Sequence, residues 1–397
     1  MKKPPGLSWL LSGFYGLVMI EVIIMVSPFA FYWYSLYAPT LQALERWRAT
    51  AWLEAFFLPH SIITTSPVLE FLRWQMGTYC FSLGIIGFLV CAAQIYGSKL
   101  LRRGVVHSWI YSRIRHPQYL CLAIAGIGLL TMWPRIIILV LYAGMILIYY
   151  FLARFEEKQM EANYAGYAAY RWRTAMFIPG NPGGKLFQCF FGWIRNRTLA
   201  LAASSTLMIV LMVISGLFLR HYTIDHAAME LLPADQTLAI AIWPEPNDRI
   251  GQVVSIALRD DKVRSALEKE AGAVFTAHVI PADYSMVDMF ADVGTDHHMF
   301  GELSPYRFKY LLGLVFPFLR HDHRNRVMGT PRENYKVIFS RVDGPMHDPV
   351  PLSSVTGLEA KMTPVVIANI SGEHPALHEV IVPPRRSLWG DITMPMF

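Results

Sequence analysis

The sequence predicts a multi-span α-helical membrane domain of about five transmembrane helices, followed by a soluble α+β domain. Three observations carry that prediction. Of 397 residues, 54% are hydrophobic and only 16% charged, where about a quarter is usual for a soluble chain. Several apolar runs approach the roughly 20 residues that cross a bilayer as helix. Charge is also split along the chain. Up to Arg220 there are 19 Lys/Arg against 7 Asp/Glu, and beyond it 16 against 22, so composition changes where the architecture changes.

Residues 1–97 carry two expected spans, Leu10–Tyr32 and Thr78–Tyr96. The first follows Lys2-Lys3, is too long for a signal-peptide core and lacks a small-residue cleavage site, so it reads as a retained anchor. Glu21 stands alone within it. At that depth a carboxyl must face protein, pair or be protonated. It serves either a hydrogen bond to another helix or recognition of a head group or partner.

Residues 98–198 hold a hairpin of two short apolar segments, Tyr119–Trp133 and Ile136–Phe151, turned at Trp133-Pro134-Arg135. Proline suits the first turn of the returning helix, where no backbone donor is lost. A last span, Leu199–Leu219, occupies residues 199–220. Ala51–Gln75 reads as a loop on the side opposite the hairpin's feet, partly interfacial.

Short-loop charge sets orientation. Lys2, Lys3, Lys99, Arg102, Arg103, Arg113, Arg115, Arg154, Lys158, Arg171, Arg173, Lys185, Arg195 and Arg197 fall on one side. Only Arg46, Arg48, Arg73 and Arg135 face the other before the last span. The expectation is an integral protein of a bacterial inner membrane. Its N-terminus and hairpin feet are cytoplasmic, and residues 221–397 are non-cytoplasmic. The basic charges flank apolar spans, which matches membrane loops rather than a nucleic-acid surface.

In residues 221–397, Leu238–Trp243, Ala273–Ile280, Tyr335–Val342, Pro364–Ile370 and Val380–Pro383 read as strands by their apolar and β-branched content. Asp260–Ala271 and Tyr284–Val293 read as helices, and Tyr310–Leu319 as core or an interfacial patch. About 177 residues can bury a core without disulfides. The four cysteines, Cys80, Cys91, Cys121 and Cys189, fall in the membrane half without a CxxC pair, which argues against a disulfide framework or thiolate metal site. Ten of the thirteen histidines lie beyond Arg220, with clusters at His297-His298, His321-Asp322-His323 and His347-Asp348. Imidazole and carboxylate could ligate zinc or copper, but no spaced metal motif is present. They read as solvated loop residues, and no metal site is assigned.

The chemistry-bearing residues gather at the hairpin's feet. Arg115-His116-Pro117-Gln118-Tyr119 leads in, and Glu156-Glu157 leads out, followed by Tyr164, Tyr167, Tyr170 and Arg173. Ionisable groups at a membrane edge are costly and point to function. One such cluster lets a water-soluble reagent meet a lipid-soluble substrate.

From Arg115 to Pro179 the sequence resembles the catalytic core of the isoprenylcysteine carboxyl methyltransferase and phospholipid N-methyltransferase superfamily. The shared elements are Arg-His-Pro-x-Tyr, an apolar hairpin, Glu-Glu, Tyr167-Ala168-Ala169-Tyr170, a basic residue and Pro179. The resemblance implies S-adenosylmethionine-dependent methyl transfer to a membrane-embedded lipid or prenyl-type substrate with a carboxylate, amine or thiol acceptor. It implies a cofactor pocket lined by His116, Pro117, Tyr119, Glu156, Glu157, Tyr167 and Tyr170. Arg115, Arg173 and Glu157 are the residues expected to carry catalysis. An acidic side chain suits the cofactor's ammonium, an Arg fork its carboxylate and tyrosine faces its sulfonium.

If helical, Glu156 and Glu157 point about 100° apart, so one of them is expected to contact the cofactor directly. Gly126-Ile127-Gly128 stands where relatives have a Gly-x-Gly cofactor element, or else serves helix packing. Leu120-Cys121 departs from the small residue usual after the motif tyrosine. The rival reading is a non-catalytic accessory subunit, its methyltransferase-like core anchoring residues 221–397 to partners in a larger membrane complex.

Overall fold

The structure is a computed structural model describing residues 43–44, 46–59, 62–101, 106–242, 247–270, 272–281, 334–344, 348–371, 376–382 and 394–395. The expected first span with Glu21, the helix Tyr284–Val293, the segment Tyr310–Leu319 and the clusters at His297-His298, His321–His323 and His347 lie outside these residues.

Three described helices are long and apolar enough to cross a membrane: α1 (Gly77–Leu100), α3 (Ile136–Asn163) and α6 (Arg197–Asp225). Between them lie α2 (Pro117–Met132), α4 (Tyr167–Arg173) and α5 (Pro182–Phe191). The hairpin is therefore unequal. Its first arm has 16 residues and its second 28, so the second outruns the expected Phe151 and carries Glu156-Glu157 on the same continuous helix. Five spans are not shown.

Helix α2 packs antiparallel on α1 through small residues. A Cβ on Gly84 would collide with the backbone of Cys121 and Ala125, and one on Gly128 with the backbone of Gly77 and Phe81. Gly126 faces Tyr142 and Met145 of α3. In the Gly126-Ile127-Gly128 element, Gly128 thus lets backbones approach closely and Gly126 makes room for side chains of α3, as small residues do between membrane helices.

Beyond α6 the described residues form a seven-stranded mixed sheet. Its elements are β1 (Met229–Leu232), β2 (Thr237–Ala241), α7 (Asn247–Leu258), α8 (Asp261–Glu268), β3 (Val274–Pro281), β4 (Asn334–Asp343), β5 (Lys361–Ser371), β6 (Ala376–Ile381) and β7 (Met394–Pro395). The order is β1-β2-β3-β4-β5-β6, with β7 also on β5. β2 and β3 run parallel, joined across α7 and α8, while the other pairs are antiparallel.

Alternation divides the sheet's residues between two cores. Ala239, Ala277, Val279, Val337 and Phe339 meet Val253, Val254 and Val263 of the two helices. Ile240, Val274, Ile280, Ile338 and Met362 meet Phe56 and Ile62. The latter two come from the loop before α1, so the loop and the domain share a core. Backbone pairing reinforces the join: Ile63 N–H donates to Ala241 O (3.0 Å), and Ala228 N–H to Ile63 O (2.9 Å).

Charges lock the same junction. Lys361 Nζ lies 2.7 Å from Glu54 Oε2, and Arg135 Nη1 lies 4.0 Å from that oxygen. All three residues are buried. Arg135 also rests over the Phe56 ring at 4.8 Å. Arg220 of α6 donates to Phe56 O (2.6 Å), Thr356 O (3.0 Å) and Gly357 O (2.9 Å). The hairpin's turn therefore sits against the sheet domain, and its feet lie at the other end of α3. From Arg135 to Glu157 the rise is ~33 Å at 1.5 Å per residue, close to the ~30 Å of a bilayer's hydrocarbon core.

Candidate active site at the hairpin's feet

Pro117 opens α2 at its first position, with His116 as the flanking residue. This turn aims the preceding strand-like segment at the chain beyond α4. Ile114 bridges Ala175 in parallel, with Arg115 N–H to Ala175 O at 2.9 Å and His116 N–H to Met176 O at 3.1 Å. The two sequence motifs are thereby stitched together by backbone.

At the centre is Glu157, almost fully buried on α3. Arg115 Nε donates to Glu157 Oε1 at 2.6 Å. Its Nη1 donates to Arg171 O at 2.9 Å and also to Thr174 O. Arg115 is thus satisfied within the chain, as a clamp between α3 and the end of α4. Arg171 Nε lies 3.8 Å and Arg154 Nη1 3.9 Å from Glu157 Oε2, so several cations surround this one carboxylate.

His116 is 4% exposed. Its Nδ1 lies 3.3 Å from Glu156 Oε2, and its Nε2 3.6 Å from Glu157 Oε1. Both contacts are short of hydrogen-bond geometry among the described residues. Burial alone would push the imidazole pKa down; the two carboxylates outweigh it and hold the imidazole above its ordinary value. Tyr119 donates its hydroxyl to Glu156 Oε1, and its ring stacks between His116 (5.8 Å) and Tyr149 (5.0 Å). Unlike Glu157, Glu156 keeps 31% of its side chain exposed. The adjacent pair is therefore divided into an internal anchor and a carboxylate that opens outward, as their angular separation on a helix requires.

On α4, Tyr167 is buried and packs edge-on against Tyr170 at 5.7 Å. Burial, with Glu157 nearby, raises the Tyr167 pKa; burial pushes Tyr170 up to about 12. Tyr170 donates to Tyr111 O at 2.6 Å, and Tyr111 to Gln118 Oε1 at 3.2 Å. The structure thus brings together Arg115, His116, Pro117, Tyr119, Glu156, Glu157, Tyr167 and Tyr170.

Arg173 is exposed. Arg171, four residues after the buried Tyr167, shares its helix face, and so Arg171 takes the place beside Glu157. Tyr111, Tyr149, Arg154 and Thr174 also belong to the cluster and carried no motif, and Gln118 held only the variable position of one. The one available signal was polarity close to an apolar run.

The phospholipid methyltransferase family matches this chain over residues 76–166. The matched region is the membrane core from α1 through the Glu156-Glu157 foot. That family is part of the superfamily that includes the isoprenylcysteine methyltransferases. Among curated proteins, the cobalt-zinc-cadmium resistance protein CzcN of Cupriavidus metallidurans is 34% identical over 106 residues, covering 26% of this chain and 48% of that relative. The chain spans about half the length of the curated relative it matches. No solved structure matches.

Proposed function

We propose that this chain is an S-adenosylmethionine-dependent methyltransferase acting on a membrane-embedded lipid or prenyl-type molecule through a carboxylate, amine or thiol. The observation that carries the reading is the buried Arg115–Glu157–His116–Glu156–Tyr119 cluster, in a core matching a membrane methyltransferase family.

The residues suit such a cofactor. Glu156 is a partly open carboxylate beside an imidazole whose nitrogens fall short of hydrogen bonds. A cationic group entering there would meet negative charge and tyrosine faces. Glu156 is assigned the ammonium, and the exposed Arg173 the carboxylate. When bound, S-adenosylmethionine supplies a methyl group on a sulfonium, suited to in-line transfer.

The protein's own work is positional. Glu157 and Arg115 fix the α3 foot against residues 171–174. The Tyr119–Tyr149 stack packs with Phe88, Leu122 and Met145 beside the site, an apolar layer suited to limiting water. The loop charges support feet that face the cytoplasm of a bacterial inner membrane, with the sheet domain on the far side.

A second reading is favoured by the Glu54–Lys361 lock and the shared core around Phe56. In it, the membrane core is a non-catalytic anchor presenting the sheet domain to partners in a membrane complex. Calorimetric titration of the detergent-purified protein with S-adenosylmethionine separates the two. The enzyme reading expects binding, weakened about tenfold by Glu156→Gln, as loss of one charge-assisted hydrogen bond would give. A folded sample that binds nothing refutes it.

A further inference from the structure

We propose that helix α5, with Trp193 after it, is an interfacial anchor that lies on an anionic phospholipid surface beside the candidate site. Pro182 begins this helix, and Asn181 caps it by accepting from Gly184 N–H at 3.3 Å. None of its ten residues is buried, although it is rich in large apolar side chains.

At 100° per residue, Leu186, Phe187, Phe190 and Phe191 fall on one face, and Trp193 and Ile194 continue it. Lys185 and Gln188 fall on the other, with Arg195 continuing theirs. Leu186 is 59%, Phe190 61% and Trp193 80% exposed. A free helix with such a face would be unstable in water. A charged or polar face opposite Trp, Phe and Leu is the pattern of helices seated at a bilayer interface.

Two further observations fix the occupant as lipid rather than a protein groove. The helix leads through a short turn into α6, whose apolar surface is largely uncovered among the described residues. It also lies at the Glu157 end of the bundle, because α6 runs antiparallel to α3 and Gly216 meets Leu139 near the other end. Trp109 and Trp172, 78% and 91% exposed, stand on segments at that same end, as aromatic residues do at a membrane–water boundary.

The charge of the surface follows from the sequence. Between Glu161 and Asp225 there is no acidic residue, while Arg171, Arg173, Lys185, Arg195 and Arg197 precede the apolar part of α6. Juxtamembrane basic clusters of this kind are drawn to anionic head groups.

The test uses the full chain in nanodiscs of phosphatidylcholine and phosphatidylglycerol, in a Cys189→Ser background. A nitroxide is placed in turn at Phe190→Cys and Gln188→Cys. Residue 190 should be relaxed more by oxygen than by a water-soluble nickel chelate, and residue 188 the reverse. Equal, water-like behaviour at both positions overturns the proposal. Shielding of residue 190 from both reagents overturns it too, and would indicate a protein partner. For the anionic component, lipid retained on the detergent-purified protein is counted by native mass spectrometry. Lys185→Gln/Arg195→Gln/Arg197→Gln should lose at least half of the bound phosphatidylglycerol and keep phosphatidylcholine; unchanged retention overturns the anionic preference.

Discussion

His278, at the middle of β3, makes acid sensitivity of the sheet domain calculable. It is fully buried, with Ile240 and Ile338 as its cross-strand neighbours. Neither ring nitrogen has a hydrogen-bond partner among the described residues. Burial lowers its pKa from 6.5 to about 4. The folded state therefore holds a neutral imidazole, whereas the unfolded chain takes up a proton below about pH 6.5. Stability from this group is complete above that pH and is lost as pH falls toward 4. The full shift amounts to about 3 kcal/mol, of which about 2 kcal/mol is lost by pH 5.

For a unit of this size, 2 kcal/mol is about 4–8 °C in Tm. The perturbation is His278→Leu, near in volume and expected to change stability at pH 8 by no more than about 1.5 kcal/mol. The assay is the Tm of the detergent-purified protein at pH 8 and pH 5. The fall should be about 4–8 °C larger for the natural chain than for the variant. Lys336, whose pKa is also lowered by burial, lies on the same face of the sheet, and its contribution cancels in that difference. Equal falls in the two proteins would show that His278 is not held neutral, and the reasoning would fail.

Three other outcomes follow from the packing. Glu54→Leu should lower stability more than Lys361→Met, because the first removes the carboxylate that faces two buried cations and the second leaves Arg135 4.0 Å from Glu54; breaking such a pair costs about 3–5 kcal/mol, and chemical denaturation of both variants gives the order. Gly84→Val should prevent α1 and α2 from closing, since the added side chain meets backbone atoms of Cys121 and Ala125, and size-exclusion chromatography would show aggregated or unfolded protein. Arg115→Lys keeps the charge but loses the fork that reaches Glu157, Arg171 and Thr174, so limited proteolysis should cut at residues 171–176 at least ten times faster, while Arg173→Lys should leave that rate unchanged.

Legibility in the sequence tracked how local each cause is. The apolar runs marked α1, α2, α3 and α6 because a bilayer imposes hydrophobicity on any helix that crosses it. They misplaced the end of α3 by twelve residues, since hydropathy follows the membrane edge and the helix continues beyond it. The β-branched strands β2 to β5 were readable for a similar reason, while β6 begins four residues before the expected Val380. Met229–Leu232 was not, having four residues and no β-branched side chain, and α7 was hidden behind Trp243-Pro244-Glu245-Pro246. At the candidate site, the motif spacing brought Arg115, His116, Glu156 and Glu157 to notice. That Arg171 stands beside Glu157 follows from the helix face it shares with Tyr167, which motif order alone does not show. The Glu54–Lys361 pair spans 307 residues and leaves no local pattern at all.

The two buried charge clusters explain why α3 has a fixed depth. Its stretch from Ile136 to Ala153 carries no ionised side chain and could slide along its axis within hydrocarbon at little cost. Arg135 and Glu157 prevent this. Each is paired at its own end, Arg135 with Glu54 and the Phe56 ring, Glu157 with Arg115. A slip of one turn is about 5.4 Å. In either direction it would break the polar contacts at both ends and draw one charge toward the bilayer core, at up to about 3 kcal/mol, the insertion-scale cost at the helix centre. Geometry at the feet therefore depends on the fit at the turn. Loosening Glu54 or Lys361 should disturb residues near Glu156 some 30 Å away, which hydrogen exchange across residues 167–176 can detect. Unchanged exchange there in a folded Lys361→Met protein would show that α3 is held at its feet alone.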